Sequence, residues 1–253
     1  GFADGGIKLS GDYRYVSGAG HAEWFLLAGI ESGEGSSVRL AAVPADEVSL
    51  GDNWDVMALK GTGSVDVTLE EVLVPDHLLA DPIAKPVRGG PMYTVGYQTY
   101  VAGENLGFSI GVCQRLVDEI THYATSKFRA TDGRLADRGA FQYELGKTQL
   151  AVQAARAFGS VELAAADARC TSNNGLDSAE EQKVVATLAF CTETAVNAVS
   201  HLYHFAGAGA IFNSSVLQRC FRDAHGSVMH HVASNIAYDK YGKSLLAPLD
   251  PQE

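Results

Sequence analysis

The sequence has few of the features that define secreted, metal-binding or membrane proteins. Its four cysteines are scattered through apolar, helix-like contexts without a C-x-x-C pair: Cys113, Cys170, Cys191 and Cys220. We therefore expect buried thiols in a reducing compartment, which predicts a cytoplasmic protein. No apolar run is long enough to cross a membrane, and residues 1–6 have neither the basic nor the apolar region of a signal peptide.

Positive charge is also scarce. The chain has 19 Lys and Arg against 30 Asp and Glu, which gives a formal net charge of -11. An acidic surface repels a phosphate backbone and an anionic bilayer, so we expect neither nucleic acid nor a membrane as a partner. The length of 253 residues is sufficient for one large domain or two smaller ones.

The first third of the chain alternates between apolar and polar residues and is interrupted by glycine and proline. This pattern predicts strands over residues 7–16, 24–30, 38–43, 54–60 and 64–74. Proline and glycine then accumulate between residues 82 and 91, which is typical of a linker. Residues 1–90 are therefore predicted to form an antiparallel, β-barrel-like module.

Residues 91–253 have helical periodicity instead. Apolar residues at i, i+3, i+4 and i+7 predict helices over residues 97–127, 138–170, 178–205 and 216–243. Ser178, followed three positions later by Glu181, predicts a capping box at the start of the third helix. Long helices with short connections indicate an antiparallel four-helix bundle, so the chain as a whole is predicted to be an α+β multidomain protein.

The segment 217–231 concentrates titratable side chains. Arg222 and His225 are i, i+3 neighbours and would share a helix face. His225 could act as a base because imidazole titrates near neutral pH. A metal site of His225, His230 and His231 is the competing interpretation. Spacings of i+5 and i+6 do not place three side chains on one face, however, and no H-E-x-x-H motif is present, so we predict no metal.

Several segments resemble one known family. Residues 6–11 (G-I-K-L-S-G), 15–19 (Y-V-S-G-A) and 21–24 (H-A-E-W) resemble the middle β-domain of the acyl-CoA dehydrogenase fold, and residues 57–67 with 72–75 resemble its second half. The G-T-G-S-x-D wording of residues 61–66 is closer to the flavin-dependent monooxygenase branch, which holds the oxygenase components of two-component phenol and hydroxyphenylacetate hydroxylases. Residues 205–231 resemble the last two helices of that branch.

The resemblance implies a domain assignment. Residues 1–90 would be the middle β-domain, incomplete at its N-terminus, because family members begin with a helical domain and further strands. Residues 91–253 would be the C-terminal four-helix bundle. Family members assemble as homotetramers, so a closed symmetric oligomer is expected.

The resemblance also implies reduced FMN or FAD as the cofactor, and it suggests which residues bind it. Ser17 would lie near the reactive N5 side of the isoalloxazine ring, since Ser17 and Gly18 offer a hydroxyl and unobstructed backbone N–H groups. Thr62 and Gly63 would lie close to the flavin. A simple turn between strands is the alternative for both segments. Arg129 would bind the flavin phosphate, with a solvated loop charge as its alternative. Arg222 completes the cofactor-binding set.

The activity implied is that of a reduced-flavin-dependent monooxygenase component. It would form a C4a-(hydro)peroxyflavin and oxygenate a small aromatic substrate, with His225 acting on substrate or peroxide and a separate flavin reductase supplying the cofactor. An acyl-CoA dehydrogenase-like FAD oxidoreductase stays open as an alternative. Counting forward from R-D-A to the usual catalytic glutamate reaches His231, however, and no Glu occurs between Arg222 and Leu249. A non-catalytic, truncated family member acting in assembly is the other alternative.

Overall fold

The computed structural model describes residues 2–3, 5–31, 37–84, 86–131, 133–173 and 175–246. The chain divides into two compact units, Gly1–Lys85 and Pro86–Glu253. Strands dominate the first unit and helices the second. The predicted α+β class is therefore confirmed at the level of small antiparallel sheets combined with long helices.

Two antiparallel sheets form the β unit. The four-stranded sheet has the order β1 (Phe2–Ala3), β2 (Gly6–Val16), β6 (Val65–Pro75) and β5 (Ser49–Leu50). The three-stranded sheet has the order β3 (Trp24–Ile30), β4 (Val38–Pro44) and β7 (Leu79–Ala80). Alternate residues of these strands, such as Phe25 and Leu27 in β3, are buried and form the core of this unit.

The strand predicted over residues 54–60 is wrong. These residues form an irregular loop and the start of a short 3-10 turn. The indole N–H of Trp54 donates to the carbonyl of Leu59, and Leu59 itself is left-handed, with φ of 55°. The left-handed backbone at Leu59 and the turn around it interrupt the extended conformation, so local backbone geometry overrides the alternating pattern here.

Long helices form the second unit. Their bounds are α1 (Tyr97–Ser126), α2 (Gly139–Asn173), α3 (Ser178–Tyr203), α4 (Val216–Ser227) and α5 (Ile236–Leu245). A two-stranded hairpin, β8 (Phe128–Arg129) with β9 (Gly133–Arg134), lies between α1 and α2. Helix α3 contributes a continuous buried face that includes Val184, Leu188 and Val199, and α1 and α2 pack against it.

The fourth predicted helix is broken, which corrects the prediction of one helix over residues 216–243. Helix α4 ends at Ser227, and α5 begins only at Ile236. Side chains near the break bond to backbone groups: in the last turn of α4 the Ser227 hydroxyl donates to the Ala224 carbonyl, and between the helices His230 Nδ1 accepts from the Val232 N–H. Such local bonds compete with the helical ladder and favour its interruption.

The capping box of α3 begins one residue earlier than the predicted Ser178. Asp177 Oδ1 accepts from the Glu180 N–H at 2.8 Å, and Glu180 Oε2 accepts from the Asp177 N–H at 3.1 Å. A carboxylate at the N-cap satisfies a free N–H and also interacts favourably with the helix dipole. Asp177 therefore occupies the position assigned to Ser178.

All four cysteines are buried and unpaired, as predicted. Burial raises the pKa of the Cys113 thiol to about 12, and burial likewise raises that of Cys220. These thiols are protonated at neutral pH and pack as small apolar groups. Within the part of the chain that is described, no helix combines the length and apolarity needed to cross a bilayer.

Candidate functional site

Four of the predicted cofactor-binding residues lie together in the β unit. The N–H of Gly18 donates to the carbonyl of Thr62 at 2.8 Å, which joins the two predicted segments. Ser17 Oγ lies 2.8 Å from Ser64 Oγ, and Ser64 Oγ lies 2.7 Å from Thr62 Oγ1. We call Ser17, Thr62 and Ser64 the hydroxyl cluster.

The pairing of β2 with β6 explains why the two predicted segments lie side by side. The two strands are antiparallel, with Val16 opposite Val65, so the residues after β2 and those before β6 meet at one end of the sheet. The register shifts between Tyr13 and Val16, and Tyr15 within that bulge has φ of 59°. A positive φ in a non-glycine residue is strained, and such strain is concentrated at functional sites.

The hydroxyl cluster extends from the interior to the surface. Ser64 is only 5% exposed, Thr62 is half-buried, and Ser17 is exposed. Gly18 and Gly63 have positive φ angles of 77° and 49°, and a Cβ on either would meet no atom of the described residues within 4 Å. The cluster therefore ends beside open backbone, which a flat ring with a polar edge can approach closely. This arrangement fits the flavin that the sequence predicts.

In the helical unit, His225 is held by a serine of the neighbouring helix. Ser200 Oγ in α3 lies 2.8 Å from His225 Nε2 in α4. The same hydroxyl donates to the Val196 carbonyl at 2.7 Å, which uses its only proton. Nε2 must therefore carry the hydrogen and donate to Ser200, so the lone pair of the neutral ring is on Nδ1.

The surroundings of His225 are aromatic and partly apolar. The His225 and Phe221 ring centroids are 4.4 Å apart, and Phe221 stacks on Tyr203 at 4.3 Å. Burial lowers the pKa of His225 below its ordinary value, which favours the neutral imidazole. Burial raises the pKa of Tyr203, an effect that the nearby positive charge of Arg222 opposes.

Arg222 is oriented by a buried amide on its own helix. Its Nε donates to Gln218 Oε1 at 2.7 Å. The Gln218 amide nitrogen in turn donates to the carbonyls of Asn213 and Ser215, each at 3.1 Å. Gln218 is 7% exposed, so it is a fixed anchor for one edge of the guanidinium.

The other candidate residues from the sequence are Arg129 and the pair His230 and His231. The backbone of Arg129 pairs with Gly133 in the short hairpin, while its side chain lies outside the described residues. The rings of His230 and His231 are 4.5 Å apart at the break between α4 and α5. In the part of the chain covered by the structure, no three His, Cys, Asp or Glu side chains are arranged to hold a metal ion.

The sequence did not predict three residues that organise these sites. Ser64 directly follows the predicted Thr62-Gly63 pair, and its hydroxyl connects Ser17 to Thr62. Ser200 lies 25 positions from His225, and no local pattern indicates their pairing. Gln218 precedes Arg222 by four positions, so its i, i+4 spacing was the one available signal.

Comparison with known sequences identifies the family of the chain. Residues 107–235, about half of the chain, match the family described as Acyl-CoA dehydrogenase, C-terminal domain. The chain belongs to this family. The resemblance noted in the sequence is thereby confirmed at the level of the family.

Curated relatives of this acyl-CoA dehydrogenase-family chain are oxygenating enzymes. The indole-3-acetate monooxygenase of Pseudomonas putida is 26% identical over 244 residues, which cover 94% of this chain and 62% of the relative. The oxygenase component of p-hydroxyphenylacetate 3-hydroxylase from Acinetobacter baumannii is 27% identical over 248 residues, covering 90% of this chain and 57% of the relative. The chain thus spans less than two thirds of the length of these relatives.

Solved structures share the fold of this family member. XiaF from Streptomyces sp., in complex with FADH2 and glycerol, superposes with a TM-score of 0.88 at 23% identity, covering 100% of this chain and 67% of XiaF. TdsC from Paenibacillus sp. A11-2, in complex with FMN and indole, superposes with a TM-score of 0.80 at 19% identity, covering 99% of this chain and 66% of TdsC. At these identities the likeness establishes the fold.

Proposed function

We propose that this chain is the oxygenase component of a two-component flavin-dependent monooxygenase acting on a small aromatic substrate. A separate reductase would supply FMN or FAD in the reduced state. The observation that carries the proposal is the hydroxyl cluster, which ends at exposed Ser17 beside the open backbone of Gly18 and Gly63. The names of the curated relatives and the flavins bound by two structural neighbours support it.

Bound reduced flavin supplies the oxygen chemistry by reacting with O2, and the protein supplies binding and proton positions. In the β unit, Ser17, Gly18, Thr62 and Gly63 would hold the polar edge of the ring. Arg129 would bind the flavin phosphate through its guanidinium. Arg222, oriented by Gln218, remains in the proposed cofactor-binding set.

In the helical unit, we assign His225 the role of base toward the substrate. Its Nε2 donates to Ser200, which leaves the Nδ1 lone pair to accept a proton from a phenol or a similar group. Burial lowers the pKa of His225, so the ring is neutral near pH 7. A neutral ring is suited to removing a proton, and this favours action on the substrate over proton donation to a peroxide.

The domain assignment and assembly belong to the same proposal. Residues 1–90 would correspond to the middle β-domain, a module of barrel-like form, because its two antiparallel sheets share one core cluster. Residues 91–253 would correspond to the C-terminal domain, with its long helices arranged as a four-helix bundle. A homotetramer is supported by exposed apolar residues on α2, and a cytoplasmic location by the four buried thiols.

A labelled-oxygen experiment tests the activity. The protein is loaded anaerobically with reduced FMN or FAD and mixed with 18O2 and p-hydroxyphenylacetate or indole-3-acetate, and the product is analysed by mass spectrometry. We expect one labelled oxygen atom in the product. His225→Ala should reduce product formation by roughly a hundredfold or more, the usual contribution of a general base.

The control is His201→Ala, because His201 is an exposed histidine on α3 of the same unit. It should leave product formation near the wild-type rate. Absence of labelled product with both substrates and both flavins would count against the monooxygenase proposal. Bleaching of bound oxidised FAD by an acyl-CoA would instead support the dehydrogenase alternative.

A further inference from the structure

The hydrogen bonds of the hydroxyl cluster have only one consistent direction. Thr62 Oγ1 lies 2.9 Å from the carbonyl oxygen of Leu59. A carbonyl can only accept, so the single hydroxyl proton of Thr62 is directed at Leu59. The Thr62 N–H and the Trp54 indole N–H donate to the same carbonyl, at 3.1 and 3.2 Å, which holds this acceptor in place.

The direction of this bond determines the direction of the next two hydrogen bonds, from Thr62 through Ser64 to the exposed Ser17. Thr62 Oγ1 has no further proton, so in its 2.7 Å contact with Ser64 it accepts and Ser64 donates. Ser64 has then used its own proton and must accept from Ser17 across the 2.8 Å contact. The proton of Ser17 therefore points inward, and the exposed side of its oxygen presents lone pairs only.

An acceptor at Ser17 selects for a hydrogen-bond donor. The N5 atom of oxidised flavin has a lone pair and no hydrogen, whereas N5 of reduced flavin carries a hydrogen. An oxygen lone pair therefore attracts the reduced ring edge and repels the oxidised one at hydrogen-bonding distance. Reversing the direction of the cluster would reverse this preference.

We propose that the hydroxyl cluster makes this site selective for reduced over oxidised flavin, with Ser17 as the contact and Ser64 and Thr62 as positioning residues. This inference rests on the proposed function and on the placement of the flavin N5 edge near Ser17 that the family resemblance implies. Selectivity of this kind suits an oxygenase that must take up flavin after a separate reductase has reduced it. It would also favour release of the oxidised flavin after turnover.

Binding of the two redox states measures this selectivity directly. Oxidised and dithionite-reduced FMN and FAD are titrated anaerobically into the wild-type protein, and the ratio of the two Kd values is determined for each flavin. We expect the reduced form to bind at least roughly tenfold more tightly, since it gains one hydrogen bond to Ser17 and the oxidised form meets opposed lone pairs there. Each tenfold preference raises the two-electron midpoint potential of the bound flavin by about 30 mV, which provides an independent readout.

Thr62→Val is the decisive variant because it keeps the shape of the side chain and both serines. Without the Thr62 hydroxyl, Ser64 is free to donate to Ser17, and the Ser17 proton is free to point outward. The Kd ratio should then fall by roughly tenfold, mainly through tighter binding of oxidised flavin. Thr62→Ser should restore the wild-type ratio, and Ser17→Ala should weaken binding of the reduced form and abolish the preference.

The matched control is Thr68→Val in β6, the same substitution at an exposed threonine whose hydroxyl donates to Asp12 outside the cluster. It should leave the Kd ratio unchanged. If wild-type protein binds reduced flavin and incorporates labelled oxygen, but Thr62→Val keeps the wild-type ratio and potential, the inference is wrong and the proposed function stands. If wild-type protein binds neither redox state of either flavin, both are wrong.

Discussion

His225 shows how a neighbouring hydroxyl can determine the tautomer of an imidazole. The proton of Ser200 is directed at the Val196 carbonyl, so the serine can only accept from His225. The ring is also packed against Phe221, and burial lowers its pKa. Both effects favour a neutral ring with its lone pair on Nδ1.

This lowered pKa makes the stability of the fold depend on pH. At pH values between the lowered pKa and the ordinary value of 6.5, the unfolded chain binds a proton that the folded chain does not. The contribution of His225 to the free energy of unfolding is therefore fully present above about pH 6.5. It is lost as the pH falls from 6.5 to the lowered pKa. Burial, together with the charge of His231, lowers the pKa of His230 and adds to the same trend.

We expect the free energy of unfolding of His225→Gln to fall less between pH 7.5 and pH 5 than that of the wild-type protein. Urea midpoints measured across this range test the expectation. The effect of His201→Gln is subtracted to correct for the loss of an exposed imidazole. Equal pH dependence in wild type and His225→Gln would show that His225 does not contribute.

At the scale of single elements, the structure and the sequence prediction differ at the N-terminus of α3. The N-cap is Asp177 in the structure and Ser178 in the prediction. Asp177→Ala removes the carboxylate that accepts from the Glu180 N–H, and we expect a loss of about 1 kcal/mol in the free energy of unfolding. Ser178→Ala removes only an exposed bond from Gln182 and should cost much less. Chemical denaturation of both variants decides between the two caps, and a larger loss for Ser178→Ala would contradict the structure.

Helices α2 and α3 are connected by an ion pair with one buried partner. Glu162 is 6% exposed, and its two carboxylate oxygens accept from Lys183 Nζ at 3.0 and 3.2 Å. Removing the cation leaves a buried carboxylate without its counter-charge. Because Lys183 itself is about 41% exposed, water partly screens the pair and reduces the cost.

We therefore expect Lys183→Ala to lower the free energy of unfolding by roughly 1–3 kcal/mol. Adding Glu162→Gln should recover part of that loss, since it removes the uncompensated charge. Lys147→Ala, at an exposed position of α2, serves as the control and should change stability little. A double variant less stable than Lys183→Ala would contradict this account.

At the scale of the whole molecule, α2 has apolar residues on two opposite faces. One face is buried and includes Phe141 and Val152. The other carries Tyr143, Leu150, Phe158 and Val161, which are 71%, 67%, 48% and 66% exposed. We call these four exposed residues the α2 stripe. They lie within about one quarter of the helix circumference, and an exposed row of this kind is typical of a surface that another chain covers.

If the proposed homotetramer uses the α2 stripe, Leu150→Lys should shift the protein toward smaller species. Sedimentation velocity measures the change, and circular dichroism confirms that the helices are retained. Ile83→Lys in the β unit is the control, because Ile83 is 89% exposed and lies outside the stripe. An unchanged oligomeric state in Leu150→Lys would show that this stripe is not the assembly surface.

The sequence by itself determined the class of each unit and the bounds of the longer strands and of the three longest helices. Alternating residues predicted β2, β3, β4 and β6, and helical periodicity predicted α1, α2 and α3 to within a few residues at either end. These features depend on local patterns that repeat every two or 3.6 residues. The motif wording also indicated the family, which the match over residues 107–235 confirms.

Only the tertiary structure decided the break between α4 and α5, the position of the cap at Asp177, and the connections within the two candidate sites. These features depend on bonds between side chain and backbone or between residues distant in the chain, and no periodic pattern encodes them. Ser17 and Ser64 are 47 positions apart, yet their 2.8 Å contact determines where the Ser17 proton points. The residue types of the site are visible in the sequence, whereas the direction of its hydrogen bonds arises from the packing of β2 against β6.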